Sequence, residues 1–310
     1  MAKNASKNFS DRFRELGLGT KRVSTDRFIT KSGQFNVIRR GVGIKGFSLY
    51  HWLLTMNWFW FFVFVVVSYI LVNVFFGLIY YWIGADQLSG FEHNYHPFLH
   101  CFYFSSQTLT TVGYGSISPI GSAASLAASI EAMVGLLGFA FATGLMYGRF
   151  SKAKSKILFS NHMLVSPYRG IKGLKFRIAN ARKSQLIEME ARVMYSFLQY
   201  ENGETKRRYM QMELEIGFIN MFPLPWTIVH PINEESPLFG KSAEDLKSEK
   251  AEFLIILKGY NDTFNQYVHQ IHEYSCDEVV YDADFDPMFD PASVGETVVH
   301  LDKIDNYHRV

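Results

Sequence analysis

Between two long apolar segments the sequence reads Thr110-Thr111-Val112-Gly113-Tyr114-Gly115. Glycines alternate with a side-chain residue at the end of this run, and glycine tolerates backbone conformations that other residues avoid. Successive carbonyl groups can therefore all point to one side. Four such loops around an axis would stack rings of carbonyl oxygens, from Thr111, Val112, Gly113 and Tyr114, that replace the hydration shell of a potassium ion. A glycine-rich turn is the simpler interpretation, and the flanking segments argue against it.

The flanking segments predict a membrane pore. Residues 58–83 and 122–150 both exceed the roughly 20 residues needed to cross the hydrocarbon core. Residues 97–109 begin with Pro97, are apolar and are too short to span, which predicts a re-entrant pore helix leading into the filter, residues 110–115. The letters TVGYG are those of the potassium channel selectivity filter. We therefore expect potassium ions in the filter and no other cofactor.

The distribution of Lys and Arg predicts the orientation. Residues 1–45 contain eleven of them, residues 46–148 contain none, and they resume at Arg149. The positive-inside rule then places both termini in the cytoplasm. Residues 1–43 predict a cytoplasmic arm without a signal peptide, and residues 44–56 predict an amphipathic interfacial helix before a pore domain over residues 57–152. A simple extension of the first span is the alternative for residues 44–56.

The second span is rich in Ala and Gly, which permits close helix packing. Gly135 is a candidate hinge, although packing is the more common reason for such a glycine. Phe139, Thr143 and Tyr147 lie four residues apart and hence on one face. If that face lines the pore, Phe139 and Thr143 border a cavity and Tyr147 narrows the inner exit as a gate. Glu131 is the one acid of this span, and we expect it to form hydrogen bonds behind the filter.

Residues 153–310 predict a cytoplasmic β-sandwich. Apolar and polar residues alternate over residues 187–197 and 211–218, and shorter apolar runs recur at residues 226–229, 253–257, 278–281 and 298–301. One short helix is predicted over residues 243–249, after Ser242 as its N-cap. The two cysteines, Cys101 and Cys276, fall in different parts of the chain and imply no disulfide framework.

Motifs for catalysis and for metal binding are absent from the sequence. It contains no CxxC, HExxH or phosphate-binding P-loop, and its C-terminal histidines lack metal-ligand spacing. We expect no enzyme activity and no nucleic-acid partner. A secondary transporter would show repeats and more spans, and a membrane-anchored interaction protein gives no role to a filter. Both remain as rival hypotheses.

The chain as a whole resembles an inward-rectifier potassium channel of the bacterial branch of that family. The resemblance extends from about residue 43 to the C-terminus. Beyond the filter it rests on residues 158–160 (LFS), 176–184 (FRIANARKS), 226–230 (WTIVH) and 236–238 (SPL). It implies a homotetramer in a bacterial inner membrane, with an immunoglobulin-like cytoplasmic domain that extends the ion path.

The resemblance also implies a cytoplasmic pore with a second constriction, a loop that would run from Gly259 to Asn265 and include Tyr260. Glu188 keeps the acidic position of that pore, whereas Lys258 replaces the usual partner acid. The following positions also depart from strongly rectifying members: Phe139 replaces the cavity acid or amide, Gln107 replaces the pore-helix Glu, and Ile117 replaces the Arg that pairs with it. We therefore expect weak rectification, with weak block by magnesium and polyamines, and possible block by barium.

Basic residues predict contact with anionic phospholipids. They are Arg149, Lys152 and Lys154 after the second span, and Arg182 and Lys183 in the β-domain. Orientation by the positive-inside rule explains the first three equally well. In animal members basic residues flank the Trp at the start of the first span, but Asn57 and Phe59 flank Trp58 here. We therefore expect phosphoinositides to inhibit rather than activate, as the resemblance to bacterial members implies.

Overall fold

The computed structural model describes residue 41 and residues 47–90, 96–152, 156–201, 204–289 and 297–310. These residues form two units, residues 41–152 and residues 156–310, and each is described by itself. The first unit is helical and the second consists mainly of β-strands. The predicted N-terminal arm, apart from residue 41, lies outside the described residues, as does Lys154.

The first unit begins with a short helix, α1 (Leu49–Thr55). Ser48 caps it, because its hydroxyl accepts a hydrogen bond from the backbone N–H of His51 at 3.3 Å. Helix α1 thus covers residues 49–55 of the segment 44–56 that was predicted as an interfacial helix. Ser48 and Met56 both have extended backbone and bound the helix on either side, while residues 44–46 lie outside the described residues.

Among the described residues, two helices are long and apolar enough to span a membrane, α2 (Trp58–Ile83) and α4 (Ser122–Phe150). The Asn57 side chain accepts from the Phe59 N–H at 3.1 Å and starts α2. Gly84 ends it with φ 121°, a left-handed conformation that favours glycine. Most apolar side chains of both helices are exposed in the single chain, unlike those of a core helix in a soluble protein. Hydrocarbon or neighbouring subunits must therefore cover them.

The third helix of this unit, α3 (Pro97–Leu109), packs between the two spans. Pro97 occupies its first turn, where the missing N–H costs nothing. Thirteen residues at about 1.5 Å each reach about 20 Å, which is less than the hydrocarbon thickness. A small apolar core ties the three helices together: Phe76, Tyr80, Leu88, Cys101, Phe104 and Ala124. Helix α3 is therefore too short to span a membrane, and its C-terminal end leads directly into residues 110–115.

The second unit contains two five-stranded sheets and a two-stranded one. In the first sheet, β7 lies along one edge of β3, β1 and then β2 lie along the other edge, and β10 pairs with β2. Its strands are β1 (Ile157–Phe159), β2 (Met163–Tyr168), β3 (Ile171–Asn180), β7 (Trp226–Ile232) and β10 (Val279–Tyr281). All its pairs are antiparallel except β2 with β10.

The second sheet has the order β5-β4-β8-β9 and is antiparallel, with β6 sharing the β5 edge of β4. Its strands are β4 (Leu186–Glu201), β5 (Glu204–Met212), β6 (Phe218–Met221), β8 (Glu252–Asn261) and β9 (Gln266–Ser275). The small sheet pairs β11 (Ala283–Phe285) with β12 (Tyr307–Arg309). A short helix, α5 (Ala243–Ser248), starts with a capping box between Ser242 and Asp245.

One hydrophobic core joins the two large sheets. It combines Phe176 and Ile228 of the first sheet with Val193, Tyr195 and Ile255 of the second, all of them fully buried. Alternation along β4 places Met189, Ala191, Val193 and Tyr195 on this inner side. The predicted fold class, two spans followed by a β-sandwich, is thereby confirmed.

Three strand-level expectations are wrong. The alternation over residues 211–218 does not form one strand, because the chain leaves β4 after Met212 and returns at Phe218 to pair with residues 187–190. In residues 298–301, Val299 forms only an isolated bridge with Phe289, and Leu301 begins a 3₁₀ turn. The predicted loop from Gly259 to Asn265 starts too early, since residues 259–261 pair with β9.

His230, in the middle of β7, is a buried histidine with both ring nitrogens bonded. Nδ1 lies 2.6 Å from the Glu213 carbonyl oxygen, which can only accept, so Nδ1 carries the proton. Nε2 lies 2.7 Å from the Ser236 hydroxyl, which also accepts from the Leu238 N–H. These partners satisfy the neutral ring completely. Burial lowers the pKa of His230, which disfavours the charged form.

This geometry predicts a loss of stability in acid. An unfolded chain takes up a proton at His230 near pH 6.5, whereas the folded chain does so only at lower pH. Stability contributed by neutral His230 is therefore present above pH 6.5 and lost as the pH falls below it, by at most about 1.4 kcal/mol per pH unit. We expect thermal unfolding of the full-length protein in detergent to show a steeper decrease from pH 7.5 to 5.5 than unfolding of His230→Gln. Equal decreases would contradict it.

Candidate ion-conduction site

The backbone of residues 110–115 alternates in handedness. Thr111, Gly113 and Gly115 have positive φ values of 59°, 50° and 79°, whereas Val112 and Tyr114 do not. A Cβ at Gly113 or Gly115 would meet nothing within 4 Å of the chain, so backbone conformation rather than space requires glycine there. Thr111 adopts the same left-handed conformation at a cost of about 1–2 kcal/mol. The sequence indicated left-handed backbone at the two glycines but not at Thr111.

The pore helix holds the loop by its N–H groups. The N–H groups of Val112 and Gly113 both donate to the Gln107 carbonyl, at 3.0 and 3.3 Å, and the Thr111 N–H donates to the Thr108 carbonyl at 3.0 Å. Among the described residues, no hydrogen bond ends on a carbonyl oxygen of residues 111–114. Three consecutive donors of this segment, from Thr111 to Gly113, are thus bound while its acceptors stay available. Such a loop can coordinate cations but offers few donors for an anion.

Buried polar side chains lie behind the loop, in a cluster of Asn73, Tyr80, Ser105 and Glu131. The Tyr80 hydroxyl donates to the Glu131 carboxylate at 2.6 Å, and the Ser105 hydroxyl lies 2.5 Å from the other carboxylate oxygen. The Ser105 hydroxyl also lies 3.1 Å from the side-chain oxygen, Oδ1, of Asn73. Glu131 thus forms the buried hydrogen bonds that the sequence analysis expected of it. Tyr80 and Ser105 were not predicted, since a Tyr in an aromatic belt and a Ser in a pore helix carry no such signal.

Gly135 lies one helical turn beyond Glu131 in the uninterrupted helix α4. A Cβ on this residue would lie 2.1 Å from the Leu109 carbonyl oxygen, a backbone atom that cannot move aside easily. The last residue of the pore helix therefore packs directly on Gly135. This close approach explains the glycine without requiring a bend.

Two further positions that the sequence analysis singled out are Gln107, in the pore helix, and Ile117, after the loop. The Gln107 side-chain oxygen is buried and has no hydrogen-bond partner among the described residues. Ile117 packs against the apolar core of the first unit. Gln107 and Ile117 are both uncharged, so these two positions cannot form an ion pair.

The predicted cavity face of α4 is uncovered in the single chain. Phe139 and Tyr147 are 73% and 74% exposed, and Thr143 between them is exposed as well. Apolar side chains of this size are seldom left uncovered without a partner. The face is available to line a path shared with other copies of the chain.

Arg149 faces inward. Its guanidinium donates to the carbonyl oxygens of Leu53 and, at 2.7 Å, Met56. It also lies 4.5 Å from the Trp58 ring centroid and 4.6 Å from that of Phe61. Arg149 thus holds the C-terminal end of α1 against the spans. Two of its guanidinium nitrogens are therefore engaged by backbone carbonyls, while its buried Nε has no hydrogen-bond partner among the described residues.

The other predicted lipid-binding residues differ from Arg149. Lys152 is exposed at the end of the first unit. Arg182 and Lys183 belong to the second unit, exposed in the turn between β3 and β4. The Arg182 backbone N–H donates to the Asn180 side chain at 3.0 Å, which shapes the turn and leaves the guanidinium outward.

The structure brings together the predicted residues of the cytoplasmic pore around Tyr267, which was not predicted. The Tyr267 hydroxyl donates to Glu188 at 3.3 Å, and the Lys258 ammonium lies 4.6 Å from the Tyr267 ring centroid. The nearby Glu188 carboxylate raises the pKa of Tyr267 and keeps it a donor. A register shift between Ile187 and Glu190, a β-bulge, turns Glu188 outward with φ 51°.

The hairpin between β8 and β9 lies beside this cluster and contains the other predicted residues, Gly259, Tyr260 and Asn265. The Tyr260 ring meets that of Tyr267 edge-on at 5.3 Å, and its hydroxyl donates to Asn265 at 3.3 Å. A Cβ on Gly259 would lie 2.2 Å from the Met189 sulfur. Gly259 therefore permits close packing of β8 on the core, while its neighbours present polar groups to solvent.

Comparison with known proteins shows which family the chain resembles. Residues 157–310 match the family model described as the inward rectifier potassium channel C-terminal domain, and residues 68–152 match a model described as ion channel. The chain is 34% identical over 280 residues to the inward rectifier potassium channel Kirbac3.1 of Paramagnetospirillum magnetotacticum, covering 89% of this chain and 94% of that protein.

Vertebrate relatives are more distant. Inward rectifier potassium channel 4 of Mus musculus is 26% identical, with 86% of this chain and 69% of that protein covered. ATP-sensitive inward rectifier potassium channel 12 of Gallus gallus is also 26% identical, with 87% and 68% covered. Proteins of this family are ion channels and not enzymes. A two-span pore unit, a TVGYG loop and a matching C-terminal domain place the chain in the inward-rectifier potassium channel family.

Proposed function

We propose that this chain conducts potassium passively and selectively as a homotetramer, with four copies of residues 110–115 around the ion path. The observation that carries the proposal is the state of the loop: the pore helix binds the N–H groups of Thr111, Val112 and Gly113, whereas no hydrogen bond among the described residues reaches a carbonyl oxygen of residues 111–114. Potassium is the transported ion, and no other cofactor is required. We place the channel in a bacterial inner membrane, with both termini cytoplasmic, on the charge distribution of the sequence.

Exposure supports the tetramer. Tyr114 is 78% exposed in the single chain, and Val112, Phe139 and Tyr147 are also exposed. These residues lie in the loop and along one face of α4, so a common axis would cover all of them. A single loop also supplies too few oxygens to replace a hydration shell, whereas four loops complete each ring.

Flux in liposomes tests the proposal. We expect the purified wild type to pass potassium in preference to sodium and to be blocked by barium. Gly113→Ala should abolish this flux, because φ 50° is strained for a residue with a Cβ. Circular dichroism and tetramer assembly provide the control for folding. A folded Gly113→Ala variant that retains selective flux would show that residues 110–115 are not the filter.

We further propose that rectification is weak. Phe139 brings no charge to the cavity, and in the cytoplasmic cluster Lys258 offsets Glu188 across the Tyr267 ring. Magnesium and polyamines are cations that bind where carboxylates gather, and neither location offers an uncompensated carboxylate. Block by internal magnesium or spermine is therefore weak in the wild type.

Phe139→Asp should create the missing site. Four carboxylates in a space of reduced dielectric attract polyvalent cations more strongly than they would in water. We expect voltage-dependent spermine block to increase by about tenfold or more in planar bilayers, with Phe139→Leu as an uncharged, apolar control. Unchanged block in Phe139→Asp would place residue 139 away from the ion path.

We propose that Tyr147 forms the inner gate and that anionic lipids favour its closed state through Lys152, Arg182 and Lys183. Four Tyr147 side chains would constrict the path by bulk and by dewetting. The three basic side chains are exposed, and each adds about 1 kcal/mol of attraction to an anionic leaflet. Arg149 acts within the fold instead, because two of its guanidinium nitrogens donate to the carbonyls of Leu53 and Met56.

Phosphatidylinositol bisphosphate in the liposomes tests both parts. We expect it to inhibit wild-type flux, to inhibit Arg182→Gln less, and to leave Tyr147→Ala conducting at a raised resting level. Activation of the wild type would reverse the proposed sign. Full lipid inhibition of Tyr147→Ala would locate the constriction at another level of the pore, most simply the hairpin after Gly259.

A further inference from the structure

We infer that α4 fixes the pore helix α3 at two points one turn apart, and that Glu131 and Gly135 are thereby positioning residues for potassium selectivity. The inference rests on the proposed function, since it names what holds the proposed filter in place. Neither residue touches the ion path. Both act through α3, whose C-terminal end leads directly into Thr110.

The first point is a hydrogen-bonded one. The Glu131 carboxylate accepts from Ser105 of α3 at 2.5 Å and from Tyr80 of α2 at 2.6 Å, and all three side chains are buried. A carboxylate at membrane depth is costly and is retained where it has specific partners. Glu131 therefore joins the three helices of the unit at one place.

Asn73 completes this first point. Its amide nitrogen donates to the Tyr69 carbonyl at 2.8 Å, which orients its oxygen toward the Ser105 hydroxyl at 3.1 Å. The single hydroxyl proton of Ser105 is thus shared between Asn73 and Glu131. An apolar residue at position 105 would leave two buried acceptors without that donor.

The second point is a steric one. A Cβ on Gly135 would lie 2.1 Å from the Leu109 carbonyl oxygen and 3.2 Å from the Leu109 Cα. Both are backbone atoms of α3, so a side chain on residue 135 would push the helix end away from α4. No rotamer change in a neighbour can relieve that overlap.

The two points share one register. Ser105 and Leu109 are four residues apart on α3, and their partners Glu131 and Gly135 are four residues apart on α4. Sliding α3 by one residue, about 1.5 Å, would break the polar contact and the close packing together. Gln107, whose carbonyl holds the N–H groups of Val112 and Gly113, lies between the two points. Displacement of α3 would therefore move the carbonyls of residues 111–114.

A hinge at Gly135 makes a different prediction. A hinge residue changes the frequency of opening while the conducting pore keeps its preference for potassium. A positioning residue changes the preference itself, because selectivity depends on how the coordinating carbonyls are arranged around the ion. The potassium-to-sodium flux ratio thus separates a positioning role from a role in bending or in general stability.

The experiment compares three variants, Ser105→Ala, Glu131→Gln and Gly135→Ala, with two matched controls. Ser106→Ala removes a neighbouring hydroxyl of α3 that pairs with Tyr69 at the exposed side, and Gly138→Ala adds a Cβ that meets nothing within 4 Å. Full-length protein is reconstituted in liposomes, and potassium and sodium fluxes are measured after tetramer assembly is verified. We expect the flux ratio to fall about tenfold or more in the three variants, and to stay near the wild-type ratio in the controls.

Each outcome is decisive. Unchanged ratios in assembled Glu131→Gln and Gly135→Ala tetramers would overturn the inference, as would equal losses in the controls. Should Gly135→Ala not assemble, the isosteric Glu131→Gln decides alone. A wild type without selective flux would overturn the proposed function itself, whereas a selective wild type with selective variants overturns only the positioning role.

Discussion

A polar backbone loop at membrane depth must find its hydrogen-bond partners in protein, and the first unit of this chain depends on that constraint. The pore helix supplies carbonyls for the N–H groups of Thr110 to Gly113. The carbonyls that follow it receive no such partner among the described residues, and their unmet demand for a positive charge is what a cation can satisfy. The alternation of handedness at Thr111, Gly113 and Gly115 aligns them. The same backbone conformation therefore determines both the fold of the loop and its capacity to bind a cation.

The buried polar cluster behind the loop follows from the same constraint. Asn73, Tyr80, Ser105 and Glu131 would be unfavourable singly in an apolar setting, yet together they satisfy one another across three helices. Leucine side chains could fill the same volume with less cost. They would also allow α3 to slide, because apolar contacts between helices are weakly directional, whereas a shared hydroxyl proton and a missing Cβ permit one register.

The cytoplasmic unit uses ordinary β-sandwich packing to present an unusual polar cluster. A β-bulge turns Glu188 outward, and the alternation of β8 and β9 places Lys258 and Tyr267 on the same exposed side. Lys258 then lies against the Tyr267 ring while the Tyr267 hydroxyl binds Glu188. Glu188 and Lys258 thus contact the same tyrosine within one chain. Lys258 therefore brings a positive charge to the exposed side on which Glu188 lies.

The sequence by itself determined the elements whose signals are local. Apolar length gives the two spans, Pro97 and the shortness of residues 97–109 give the pore helix, and the TVGYG letters give the filter. Charge asymmetry gives the expected orientation. Alternation correctly indicated β4 and β8, but it failed at residues 211–218, because a period of two does not say which partner strand a segment pairs with.

Tertiary structure decided the contacts between residues distant in the chain. Arg149 turned inward to the end of α1, Tyr267 joined Glu188 to Lys258, and Ser105 met Glu131 while Leu109 met Gly135. Such pairs depend on how helices and sheets pack in three dimensions, and no spacing along the chain encodes that packing.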